Sequence, residues 1–239
     1  MKFAILLLSG IAIGIATPTL ALEGAVSVGR GNGIQAPRPG DPPCDGSLLL
    51  SYDGSAENGY AWSGGGEVEP YYGAFAEGYE AVGTVCGASF HFTQTGRYNG
   101  QLIDVYVWDS DEGDPQNPGA VILVTPGVAI APPAMWPMVS QHDVALADVQ
   151  VNGRFFVGYW GDWPGFVEGW YCAADLDGPG GMPRTNIAPG VWPEDGWQDL
   201  SIIWGSTQAM GIGAYVHQTP VPVVLASWGR IKSTYVLRP

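Results

Sequence analysis

The sequence predicts an all-β fold: an antiparallel β-sandwich of jelly-roll-like arrangement, in a single domain with a short C-terminal appendage. Three observations carry that expectation. Helical periodicity is nearly absent between residues 46 and 217, so no run offers the apolar stripe a packed helix needs. The chain's 36 glycines and 20 prolines punctuate short apolar runs, as expected of many strands joined by turns. Where a run is long enough to show a period, that period is two: Ile103, Val105 and Val107 share one face, with Leu102, Asp104, Tyr106 and Trp108 on the other. Strand–helix–strand spacing hardly occurs, which favours a sandwich over an α/β sheet.

Residues 1–21 read as a cleavable signal peptide. Met1-Lys2 is a short positive start, an apolar run follows from Phe3, and Thr17-Pro18-Thr19-Leu20-Ala21 ends on a small-x-small site with cleavage expected after Ala21. Gly10, Gly14, Thr17 and Pro18 break the run below the roughly 20 apolar residues of a membrane span. The expected location is therefore secreted, extracellular or at the cell surface, without a membrane span. Residues 22–45 form a Gly/Pro-rich leader with few core-building side chains, expected to be mobile or extended. Residues 46–217 suffice for one ordinary core. Strands are expected at 48–52, 60–63, 81–93, 101–108, 120–124, 144–151, 155–160, 169–174, 199–204 and 211–216. Residues 218–239 are a proline linker and a tail that concentrates positive charge at Arg230, Lys232 and Arg238.

Three segments resemble the strands and turns of jelly-roll modules attached to secreted bacterial proteins, many of them carbohydrate-binding. They are Leu48-Leu49-Leu50-Ser51-Tyr52-Asp53-Gly54, then Val105-Tyr106-Val107-Trp108-Asp109 leading to Pro118-Gly119-Ala120-Val121-Ile122-Leu123, and Gly153-Arg154-Phe155-Phe156-Val157-Gly158. The resemblance is one of pattern across the body of the chain. It implies the sandwich fold and, more weakly, carbohydrate binding.

Charge narrows the partners. The chain has 9 basic and 23 acidic residues, a net charge of -14, and removing residues 1–21 takes away Lys2 and no acid. Such a field disfavours nucleic acid and anionic membrane. Cys44, Cys86 and Cys172 allow one disulfide and one spare thiol. Because Cys86 and Cys172 both lie in strand-like runs, they are the expected pair. No Cys-x-x-Cys occurs and His91, His142 and His217 stand far apart in sequence, so the spacing matches no zinc pattern.

The signatures of catalysis are missing. Gly87-Ala88-Ser89-Phe90-His91 lacks the second glycine of a nucleophile elbow, and no zinc-protease, phosphate-loop or dinucleotide motif occurs. A non-catalytic module is expected, with a carboxylate-based glycoside hydrolase as one alternative. Two acidic loops carry carboxylates beside glycine turns: Asp109, Asp111 and Asp114 in one, Asp175 and Asp177 in the other. Convergent oxygens of this kind suit calcium, whereas the plainer reading is a pair of solvated turns. Trp136, Trp163 and Trp192 each precede proline, which holds the residue before it extended and away from mid-ladder positions. With Trp197 they are expected to form a platform for a neutral polysaccharide, against the alternative of capping the core. The functional expectation is a secreted binding module for neutral polysaccharide or cell-surface components, supported by calcium. A structural or adhesive surface protein without a small ligand is the other alternative.

Overall fold

The structure, a computed structural model, describes residues 25–38, 40–62, 71–96, 100, 102–161 and 170–219. It is nearly all β, as the sequence predicts. The strands are β1 Ala25–Ser27, β2 Gly33–Gln35, β3 Ser47–Leu50, β4 Ser55–Ala56, β5 Asn58–Trp62, β6 Phe75–Gln94, β7 Leu102–Ser110 and β8 Pro118–Ala129. They continue with β9 Ala134–Met135, β10 Met138–Trp160, β11 Tyr171–Asp175, β12 Pro183–Ile187, β13 Gly196–Asp199, β14 Ala209–Met210 and β15 Ile212–Gln218.

Two long strands organise everything else. β6 and β10 run antiparallel from Ser140↔Phe92 to Tyr159↔Phe75, and β6 also pairs with β15, β11 and β12 along its length. β10 hands the sheet on to β7, and β7 to β8, whose outer side pairs with nothing further among the described residues. Most ladders are antiparallel; β2 with β10 and β6 with β9 are parallel. The expected strands at 144–151 and 155–160 merge into β10. Asn152-Gly153 makes no turn because its ladder to β6 continues unbroken, with Asn152 opposite Val82 and Gly153 opposite Ala81.

The main core takes Phe75, Tyr79 and Val85 from the first part of β6, then Ala88, Phe90 and Phe92 from the second. The inward residues change from odd to even numbers at Cys86. There the ladder steps from Tyr215↔Gly87 to Val216↔Val85 and leaves Cys86 as an extra residue opposite β15, a β-bulge. Ile103, Val105 and Val107 enter this core fully buried, as their alternation predicts. Trp108, on the other face of β7, is buried in a second cluster with Ala76 and Phe156.

The leader is extended where described, and it forms a strap. Ile34 N donates to Pro137 O (2.8 Å) and Ala36 N to Val139 O (2.7 Å). Arg38 reaches Asp143 (2.8 Å) and the Tyr215 hydroxyl (2.7 Å). The strap ends in a disulfide from Cys44 to Cys86. This corrects the expected Cys86–Cys172 bridge. Cys172 lies opposite Phe92, six residues along β6 from Cys86, a separation of about 20 Å at roughly 3.3 Å per residue. A disulfide needs Cα atoms within about 7 Å. Cys172 is a free thiol in the main core, where burial raises its pKa well above the ordinary thiol range.

The expected strand at 199–204 is also corrected. β13 ends at Asp199, and the short helix α1 Ser201–Trp204 follows. Asp199 Oδ1 accepts from Ser201 N (2.8 Å) and from the Ser201 hydroxyl (2.5 Å), a local side-chain bond that competes with continuing the ladder. The signal segment 1–21 and residues 220–239 lie outside the described residues.

Candidate functional site

A cleft of about 420 Å³ lies between the hairpin end of β7 and β8, the turn at Tyr71, and β13. Tyr71 and Trp197 supply aromatic faces to it. Asp109, Asp111 and Glu112 supply carboxylates, with Ser110, Pro118, Gly119 and Ala120 completing the wall. None of these lining residues is basic.

Each part is held for an identifiable reason. Trp197 stands opposite Asn186 in the β12–β13 ladder, and Gly73 N donates to Asn186 O (2.6 Å), so one residue of β12 ties the Tyr71 turn to the tryptophan strand. Tyr71 has φ 50°, an uncommon backbone for a bulky side chain, and its carbonyl accepts from Ala74 N (3.1 Å). Conformations of that kind persist where the surroundings over-determine them. Beneath the cleft, Trp108 meets Trp197 edge-on with centroids 5.1 Å apart and stacks on Tyr106 at 5.0 Å, while Tyr71 lies 5.2 Å from Tyr106. Trp108 is fully buried, whereas Tyr71, Tyr106 and Trp197 remain partly exposed.

The acidic loop is ordered by its own carboxylates. Asp111 Oδ1 accepts from Gly113 N (2.7 Å) and Asp114 N (3.2 Å), and Asp114 accepts from Gln116 N (3.1 Å) and Asn117 Nδ2 (2.9 Å). These are Asx turns. From behind, Arg184 donates to Gln116 O (2.7 Å) and Arg154 to Pro115 O (3.2 Å). Gly119 is required by contact: a Cβ there would stand 2.8 Å from the Asp111 backbone. The expected calcium ligands Asp109, Asp111 and Asp114 do not gather into a three-carboxylate cluster. Asp109 and Asp111 line the cleft, while Asp114 braces the loop.

Asp175 and Asp177 do come together, joined by Asp53 from the segment after β3, with one oxygen of each within 4.8 Å of the others. Asp175 is fully buried and already accepts from the backbone amides of Asp53, Asp177 and Gly178. Those three bonds satisfy the buried carboxylate without an ion.

Comparison with protein-family models, with curated proteins and with solved structures finds no match for this chain. Of the tryptophans expected to share a platform, Trp136, Trp192 and Trp197 are among the described residues, and of these three Trp197 alone lines this cleft. Trp136 packs over Gly31 and Gly33 against the separate cluster of Tyr52, Ala56, Val139 and Ala173. Trp192 packs against the main core, and Trp163 lies outside the described residues. Tyr71 escaped the sequence reading; its signal is an aromatic pair placed directly before a turn glycine, Tyr71-Tyr72-Gly73.

Two other polar groups have structural explanations. A second cleft, of about 450 Å³, is lined by Asp41, by Val128–Ala131 and by Gln141–Ala145. Its His142 is held down to a pKa of about 4 by burial, and Nε2 lies 2.8 Å from the Ser140 hydroxyl, which also accepts from Ala134 N (2.9 Å). That serine serves local packing. Glu77 is completely buried and is pushed up to a pKa of about 8 by desolvation, but it sits inside the protein, accepting from Met182 N (2.5 Å) and Met210 N (2.8 Å). It borders neither cleft.

Proposed function

We propose that this protein is a secreted, non-catalytic binding module whose cleft at Tyr71, Trp197 and the 109–112 loop takes a neutral polysaccharide. One observation carries the reading. Two partly exposed aromatic side chains, backed by a buried third ring, share a cleft with three carboxylates and no base. An indole face meets the apolar face of a sugar ring, and the carboxylate oxygens accept bonds from its hydroxyls. The net charge of -14 disfavours acidic glycans. Because the turn, the loop and β13 are each fixed by hydrogen bonds, little ordering is left for the ligand to impose.

The test is retention on insoluble neutral polysaccharides such as cellulose, xylan and mannan, followed by isothermal titration with soluble fragments. Trp197→Ala and Asp111→Asn should each weaken retention, while Trp136→Ala, remote from the cleft, should leave it intact. Equal retention of all four proteins rejects the cleft as the binding surface.

A structural or adhesive role is the second reading, and the outer strand favours it. β8 pairs only with β7 among the described residues, carries no charged side chain, and exposes Val121, Ile122 and Val124. Unprotected edges of that composition invite pairing with another chain. Concentration-dependent self-association of a protein that binds no polysaccharide separates this reading from the first.

A further inference from the structure

Cys44, Cys86 and His217 are far apart in sequence, and the fold brings them to one point. A ring nitrogen of His217 and both sulfurs lie within 4.8 Å of one another. The cause is traceable. The bulge removes Cys86 from the ordinary alternation of β6 beside β15, and His217 follows directly after Val216, the β15 residue at that step. Gly46 lets the strap approach: a Cβ there would stand 2.9 Å from both Cys86 Sγ and Val216 N. Asp45, next to Cys44, places Oδ1 3.2 Å from His217 Nε2.

We propose that, once the Cys44–Cys86 disulfide is reduced, these three side chains form a zinc-class metal site, so that disulfide and metal are alternative ways of fastening the strap. Two thiolates and an imidazole form a soft donor set that selects zinc-like ions over calcium or magnesium. Tetrahedral zinc has ligand bonds of about 2.0–2.3 Å, so closing the donors around it takes side-chain shifts on the order of 1 Å. Asp45 supplies the outer partner such sites use. In the tautomer that carries its proton on Nε2, the Asp45 carboxylate accepts that N–H and Nδ1 keeps the lone pair a metal needs. The His217 side chain is 41% exposed, which gives the ion an entry path and a water for the fourth position.

The chemistry balances with a dithiol as reductant. Two electrons and two protons pass to the Cys44–Cys86 bond, giving two thiols, while the dithiol leaves as its own disulfide. Metal binding then releases both thiol protons to solvent. Cys172 takes no part, being buried in the core.

The test uses the full mature chain, reduced with dithiothreitol, freed of reductant under nitrogen and titrated with cobalt(II), then zinc(II). The reduced protein should bind one equivalent of cobalt with sulfur-to-metal charge-transfer absorption and tetrahedral ligand-field bands, both displaced by zinc. The oxidised protein should show neither. His217→Ala keeps both thiols and removes a half-exposed side chain, so its fold is checked by circular dichroism; it should bind at least tenfold more weakly. Asp45→Asn should lose about 10- to 100-fold in affinity, and Cys172→Ser should bind like the parent. The proposal is overturned if the reduced parent lacks sulfur-to-cobalt absorption, if folded His217→Ala binds as tightly as the parent, or if Cys172→Ser abolishes the signal.

Discussion

Replacing Glu77 by glutamine should reverse the order of stability between variant and parent as pH rises. Burial lifts the Glu77 pKa from 4.5 to about 8, against the opposing bonds from Met210 N and Met182 N and the attraction of Arg184. Between those two values the folded protein holds a proton that the unfolded chain has released. Unfolding free energy therefore falls with rising pH across that window, by up to about 1.4 kcal/mol per unit, and levels off above pH 8. The whole contribution is on the order of 5 kcal/mol, present in full below about pH 4.5. Glutamine cannot titrate, but it offers one acceptor oxygen where the parent has two, so Met182 N or Met210 N faces an amide NH2. That loss costs about 1–3 kcal/mol at every pH. Glu77→Gln should thus be the less stable protein near pH 4.5 and the more stable one above pH 8. Urea unfolding of both proteins at half-unit intervals measures the difference, and other titrating groups cancel in the subtraction. Parallel curves from pH 4.5 to 8 would refute the reasoning.

Other outcomes follow from the strap and the core. Replacing Cys44 and Cys86 by serine opens a cross-link with a sequence separation of 42 and should lower unfolding free energy by about 4 kcal/mol, measured by denaturant titration. Gly46→Ala should cost about 1–3 kcal/mol through its collision with Cys86 Sγ and Val216 N. Cys172, a buried thiol with a raised pKa, should resist alkylation at neutral pH until denaturant is added, which mass spectrometry detects directly. Calcium support through Asp53, Asp175 and Asp177 requires a higher melting temperature with millimolar calcium than with chelator, and superimposed melts remove calcium from the reading.

Local pattern carried the fold further than it carried the site. The alternation of Ile103, Val105 and Val107 is a property of neighbouring residues, so it was legible, and so were most strands between 48 and 216. The strap was not. Its glycines and prolines have no period, and its order comes from Pro137, Val139, Asp143 and Cys86, about 40 to 110 residues away. The disulfide was misread for a related reason: lying in strands says nothing about where along a long strand two residues meet. Trp197 and the 109–112 loop were each singled out for separate purposes, but only the fold shows that they share a cleft. For Trp136 and Trp192, proline correctly marks breaks in the ladders, while tertiary neighbours decide how far the rings are buried.

The bulge at Cys86 gives the gene for this chain one point inside a long buried strand where a lost codon would keep the core in register. Along β6, residues before it face the main core when their numbers are odd, and residues after it when they are even. Losing one codon at that point would keep Ala88, Phe90 and Phe92 inward, because the shift by one residue and the loss of the bulge cancel, whereas losing one between 80 and 84 with the bulge kept would turn Phe75 and Tyr79 outward. The same loss in a turn would change only a connection. A one-residue deletion should therefore preserve the packing of β6 at position 86, at the cost of the cross-link to Cys44, and scramble it at 80–84.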